Sequence, residues 1–247
     1  LPFAKATLEA ADAFVAHSRG AGGELAGPLN IGIIPTVAPY ILPTLLTLIA
    51  EEFPELEPRI VENQTESLLQ RLRDGHIDVA VLATPTGATG VTEIPLYDEA
   101  FAIVTNPDNP LAGRGDLTLD ALRDLELLLL DDGHCLRDQI VELCQLAEVD
   151  RSPGAQSATR AASLTTVVQL VVAGLGSTLV PMSAVATECA RPGIAVSAFA
   201  DGVEAKRTVG LVMRSSSRRQ QEFTRLGELI TRAFEKAREA SVALLPR

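Results

Sequence analysis

The run GHCLRDQIVELC, Gly133 to Cys144, carries two of the three cysteines of this 247-residue chain. A cysteine does chemistry as its thiolate, so the first question is what could take its proton near neutral pH. Apolar spacing predicts a helix over His134–Val149, with Cys135 in its opening turn, where backbone N–H groups and the macrodipole favour an anion. Arg137 could add positive charge; Asp131, Asp132 and Asp138 would oppose it if they pointed inward, and are expected to cap the helix or face solvent. On such a helix Cys135 and Cys144 are separated by a rise of roughly 13.5 Å and about half a turn. A disulfide needs α-carbons within about 7 Å, so these two sulfurs cannot meet while the helix persists. Taken alone, Cys135 reads first as a small buried hydrophobe, Cys144 in the apolar ELCQL as a packed helix residue, and Cys189 in TECARPG as structural.

Composition narrows the rest. An odd, small number of cysteines does not resemble a secreted disulfide framework, so thiols are the default state. Lys and Arg number 21 against 32 Asp and Glu, a net charge of −11, which argues against a broad nucleic-acid footprint on these residues. With no run of 18 apolar residues and no secretory signal pattern, the expectation is a soluble, cytoplasmic protein. His17, His76 and His134 lack metal-ligand spacing with each other or with the cysteines, so no metal and no cofactor is expected.

The elements that must position the cysteines follow from hydrophobic period. Leu1, Ala4, Leu8, Ala11 and Val15 form a heptad-like seam followed by a flexible connector, a helix in need of a partner, and its abrupt start suggests a segment upstream. From Leu29 the chain alternates: LNIGII strand, Pro39–Phe53 helix, LEPRIVE strand, Ser67–Arg73 helix, IDVAVLA strand, a β-α-β-α-β order that signals a parallel sheet wrapped by helices. VTEIPLYDEAFAIVTN reads as two strand-like pieces leading away. The alternation then restarts with LELLLLDD as a buried strand, the cysteine helix, a helix SLTTVVQLVVAG closed by Gly174, and STLVP as strand. RTVGLVMR returns the chain to a last helix, Arg219–Leu244, striped by Phe223, Leu226, Ile230, Ala233 and Ala237. The expectation is two α/β lobes joined by two crossings, with the working cleft between them: residues 1–27 as linker helix and connector, 28–97 with 214–247 as one lobe, and 98–213 as the lobe that carries the cysteines.

Four stretches in order, GPLNIGIIPTVAPYILP, LRDGHIDVAVLA, DNPLAG and VVAGLGSTLVP, resemble the regulatory region of LysR-type transcription regulators. That resemblance implies two Rossmann-like lobes of the periplasmic-binding-protein type II kind, and it covers almost the whole chain. DDGHCLRDQIVELC, with IPTVAPY and RTVGLVMR, is similar to the peroxide-sensing members. Ala38 departs from the commoner TVGPY.

The resemblance implies that Cys135 is peroxidatic and Cys144 resolving, and that Thr36 and Thr65 help to hold peroxide beside the thiol. His134, Arg137, Asp138 and Gln139 would form the polar shell, and Arg214 would face the same pocket and supply further positive charge. A sulfenic acid at Cys135 could condense with Cys144 only if the intervening helix unwinds, coupling bond formation to refolding of about ten residues. Implied partners are hydrogen peroxide, further copies of the chain in a dimer or tetramer, a cellular dithiol reductant, and promoter DNA through an N-terminal helix-turn-helix that does not precede Leu1; no membrane is implied. The expected role is a stoichiometric sensor, not an enzyme. The residues leave rivals standing: a continuously turning thiol peroxidase, a domain whose cleft binds a small organic anion, or a free-standing solute-binding protein. Thr36 and Thr65 could merely cap helices, Arg214 could merely pair with an acid, and His76 with Asp78 reads as a strand entrance, SSSRRQQ as a loop.

Overall fold

The computed structural model describes residues 25–148 and 160–246; the seam expected over Leu1–Val15 lies outside the described residues. Strand β1, Gly27–Ile33, leads into α1, Ala38–Glu52, whose Ile41, Leu45, Leu48 and Ile49 are buried at helical spacing. Strand β2, Leu56–Glu62, helix α2, Thr65–Arg73, and β3, Val79–Thr84, complete the expected alternation.

The two strand-like pieces that follow are one strand. β4, Val91–Thr105, is continuous, with a register shift between Pro95 and Tyr97 that bends it without ending it. The expected strand LELLLLDD contracts to β5, Leu129–Leu130, because its parallel partner β6, Arg160–Ala161, offers only two residues. The cysteine helix is α3, Cys135–Leu146, and α4 follows at Leu164–Val172, capped by the Ser163 hydroxyl and closed beyond Ala173 by Gly174 at φ 77°. After β7, Thr178–Pro181, come two elements the hydrophobic period did not announce, helix α5, Met182–Glu188, and strand β8, Ala195–Ala198, both too short to show a period. Strand β9, Lys206–Arg214, and helix α6, Gln220–Val242, end the fold.

The main sheet runs β2-β1-β3-β9-β4-β7, with β8 also on β4. β1 is parallel to β2 and β3, while β9 is antiparallel to both β3 and β4. β4 pairs with β9 over residues 91–100 and with β7 and β8 over 101–105, so it walks from one part of the sheet into another. At about 3.4 Å per residue it is on the order of 50 Å long, enough to cross a lobe boundary.

Two cores sit on either side of that crossing, giving two α/β lobes. The first is built by β1, β3, α1, α2 and α6, with Val209, Leu211, Val212 and Met213 of β9. The second gathers Phe101–Val104, the leucines 125 and 127–130, Leu136, Ile140, Leu143 and Cys144 of α3, and the apolar faces of α4, β7 and α5. In the first core Tyr97 stacks on Phe234, ring centroids 3.8 Å apart. One side chain of α1 leaves its own lobe: Tyr40 joins the second core and its hydroxyl donates to Glu188 Oε1 at 3.1 Å.

Candidate functional site

Cys135 is the first residue of α3 and is half-buried, while Cys144 near the other end is 2% exposed; neither is in a disulfide. The helix between them is unbroken, so the nine-residue rise of about 13.5 Å holds. The two sulfurs also belong to different surroundings. Cys135 packs against the first core, Cys144 lies inside the second.

Gly133 shapes the turn in front of Cys135. Its φ is 93°, a backbone conformation strained for any residue with a Cβ, and a Cβ there would also stand 2.6 Å from Gln64 Oε1 and push that side chain aside. Gln64 Nε2 donates to the Asp132 carbonyl at 3.4 Å, which lays the start of α2 against the start of α3. The next residue, Thr65, has a buried Oγ1 without a hydrogen-bond partner, and so does Oε1 of Gln139. Neither Thr36 nor Thr65 caps a helix: the residues before α1 and α2 make no side-chain cap.

The positive charge at the site comes from a residue that motif reading passed over. Arg207 on β9 is wholly buried and pairs directly across the sheet with Glu99 on β4. Its Nε and Nη2 donate to Glu99 Oε2 at 2.9 and 2.7 Å, its Nη1 to Thr36 Oγ1 at 2.8 Å, and its Nη2 also to the Thr36 carbonyl at 2.9 Å. Burial works against its charge, but Glu99 and then Cys135 hold the guanidinium above its ordinary pKa. Cys135 and Arg207 thus lie within electrostatic reach of each other. Because arginine can only donate, Thr36 Oγ1 must accept from it, which leaves the threonine hydroxyl proton for another partner.

Of the arginines named from the resemblance, Arg214 sits elsewhere. Arg214 is a correction: its Nη1 donates to the carbonyls of Leu72 at 2.8 Å and Ile77 at 3.0 Å. It lies seven residues along β9 from Arg207, about 23 Å of strand, where it ties α2 to the sheet. Arg137, two residues beyond the thiol, pairs with Asp132 at 2.9 Å and Asp138 at 3.1 Å, both largely exposed. Asp132 also holds Arg160 at 2.7 Å, so these acids face solvent as expected but do not cap α3. His134 is buried at the cap position, and burial lowers its pKa while Asp131 pulls the other way. Desolvation, followed by Glu188, pushes the buried Cys189 thiol up to about 12, which suits a structural residue. Asp78 accepts from the backbone and side chain of Asn30, a strand-entrance role.

Glu99 and Arg207 were not invisible. Charges within YDEAFAIV and AKRTVGLV interrupt apolar strands, but each stretch offers two charges in succession, and strand alternation buries only one of them. Asp98 and Lys206 point out and pair at 3.1 Å in solvent.

The LysR substrate binding domain family matches residues 22–235 of this chain. A Mycobacterium avium protein described as a probable hydrogen peroxide-inducible genes activator is 49% identical over 230 residues, 93% of this chain and 73% of that protein. Among solved structures, a cysteine-to-serine mutant of Corynebacterium glutamicum OxyR with H2O2 bound is 57% identical and superposes with a TM-score of 0.88, covering 98% of this chain and 76% of that one. The oxidised form of the same organism's OxyR, at the same identity and covering 98% and 75%, superposes with 0.80.

Proposed function

The chain belongs to the LysR substrate-binding domain family, and from that premise we propose that it is the peroxide-sensing regulatory region of an OxyR-type transcription regulator, signalling through a reversible Cys135–Cys144 disulfide. The single observation that carries this reading is the placement of Cys135 at the N-terminus of α3, within electrostatic reach of the buried Arg207–Thr36 pair. The Cys135 thiolate attacks one peroxide oxygen, the O–O bond breaks, sulfur is oxidised to sulfenic acid, and the departing hydroxide takes a proton to become water. Thr36, whose hydroxyl proton is not committed to Arg207, is assigned as a donor to the peroxide. The unpartnered Thr65 Oγ1 and Gln139 Oε1 offer a hydroxyl and a carbonyl to the same small molecule. His134, Arg137 and Asp138 are retained as the frame of the turn around the thiol.

Condensation of the sulfenic acid with the Cys144 thiol forms the S–S bond and releases water. Since Cys144 is buried in the second core, this step needs α3 to unwind and carry residues out of that core, which makes a bistable element. The closer superposition on the peroxide-bound mutant than on the oxidised form supports reading the present fold, with Cys135 and Cys144 unbridged, as the resting state. A cellular dithiol resets the switch, so each chain consumes one peroxide per cycle and is a sensor, not an enzyme. Self-association as a dimer or tetramer, promoter binding through an N-terminal helix-turn-helix and a cytoplasmic location complete the proposal. Among the described residues no helix is long and apolar enough to cross a membrane. We place the lobe boundary near residue 98 on β4; on β9 the packing favours a boundary at 206–208 over one at 213, since Ala205 joins the second core and Val209 the first.

The test is a non-reducing peptide map before and after substoichiometric peroxide. A linked peptide carrying Cys135 and Cys144, absent beforehand and abolished by Cys135→Ser, is expected. Linkage through Cys189, or catalytic peroxide loss with excess dithiol, would overturn the reading.

A further inference from the structure

The buried pair on the two crossing strands does more than neutralise itself. Glu99 is fully buried, and all four of its carboxylate contacts are donors: Ser183 N–H at 2.9 Å and Ser183 Oγ at 2.5 Å on Oε1, Arg207 Nε and Nη2 on Oε2. Ser183 sits in the first turn of α5, which packs in the second core, whereas Thr36 sits in the β1–α1 turn of the first lobe. A directed chain therefore runs across both lobes, from the Ser183 hydroxyl to Glu99, from Arg207 to the same carboxylate, from Arg207 to Thr36, and from the Thr36 hydroxyl outward. Of the five N–H groups of Arg207, four are spent on Glu99 and Thr36; the one remaining is on Nη1, the nitrogen beside Thr36 Oγ1.

We propose that Glu99, seated on Ser183, is the positioning residue of the thiol site: it fixes the guanidinium plane of Arg207 so that the free Nη1–H and the Thr36 hydroxyl are presented together beside Cys135. The inference rests on the peroxide-sensing reading for its reaction, but not for its geometry. A carboxylate is required because every position around it is occupied by a donor. Glutamine at 99 would keep the shape but turn one accepting end into an N–H2 group, facing either the two arginine donors or the Ser183 N–H. Arg207 would then keep its charge, lose its counter-ion, and be free to turn toward Cys135, whose charge also acts on it.

Two effects of opposite sign follow in Glu99→Gln. The pH midpoint for alkylation of Cys135 by iodoacetamide, followed peptide by peptide, falls by roughly one unit or more, because an unneutralised buried cation favours the thiolate. The rate of Cys135 oxidation by hydrogen peroxide, taken at pH values where the thiol is fully ionised, falls roughly ten-fold to hundred-fold, because the donors are no longer aligned. Glu99→Asp, which keeps the charge, recovers the alkylation midpoint. If Glu99→Gln does not fold, Ser183→Ala carries the test: it removes one donor from Oε1, leaves the ion pair intact, and lowers the ionised-state oxidation rate several-fold.

An alkylation midpoint and an oxidation plateau both unchanged, with only the melting temperature lowered, would show a purely structural pair and overturn the proposal. Wild-type protein that reacts with iodoacetamide but not with peroxide would sink the sensing reading instead. The alkylation midpoint of Glu99→Gln would then decide the positioning role alone: an unchanged value refutes it.

Discussion

Substituting Ile140 by alanine separates a helix that stays from one that leaves. Ile140 lies midway between the two cysteines, is 2% exposed and is packed in the second core. In the thiol form, removing its side chain costs about 2–5 kcal/mol, the transfer loss plus the cavity left behind. Closing the disulfide must shorten the separation of the two α-carbons from about 13.5 Å to about 7 Å or less, which α3 cannot do while Ile140 remains seated. The disulfide form has therefore already given up this packing and loses little from the substitution. Only the thiol side of the couple is destabilised, so reduction becomes less favourable and the potential moves negative. At about 30 mV per 1.4 kcal/mol for two electrons, the shift is about 40–110 mV. Equilibration against a series of glutathione redox buffers, with thiol trapping and quantitation of the Cys135–Cys144 peptide, reads it directly. A midpoint that stays put while both forms lose the same thermal stability would mean that Ile140 is equally buried in both, and that the bond forms without unwinding α3.

The placement of Arg214 on two backbone carbonyls predicts that Arg214→Ala lowers stability by roughly 1.5–3 kcal/mol, the range for hydrogen bonds to a charged group, while leaving the rate of Cys135 oxidation unchanged; a slowed reaction in a well-folded variant would return Arg214 to the site. For His134, burial depresses the folded-state pKa below 6.5, against the pull of Asp131. The unfolded chain then binds the proton first as pH falls, so this residue's contribution is full above about pH 7, declines from about 6.5 downward, and is lost once pH passes below the folded pKa. The thermal midpoint of His134→Gln, followed from about pH 7.5 to about pH 5, should fall less steeply than that of the parent, and parallel curves would contradict the shift.

Much of this was already written in residue order. Alternating apolar runs and helical periods specify the α/β lobes, because strand and helix faces must be buried at their own repeat. Nine residues of unbroken helical pattern keep Cys135 and Cys144 apart, because helix rise is a local property. The short elements α5 and β8 could not be read, since four to seven residues hold too little of either period. The charged part of the site was hidden for a different reason. In Asp98-Glu99 and Lys206-Arg207 the sequence supplies two adjacent acids and two adjacent bases, and nothing local says which of each faces inward. The pairing of β4 with β9 settles it: the pleat turns Glu99 and Arg207 into the interior and Asp98 and Lys206 toward water. A slip of one residue would exchange them. Likewise, RTVGLVMR names Arg214, but only the length of β9 puts that side chain beside α2 and leaves Arg207 within reach of the thiol. Chemistry that depends on a local repeat can be read along the chain, whereas chemistry built from residues 36, 99, 135 and 207 exists only once strand register has brought them together.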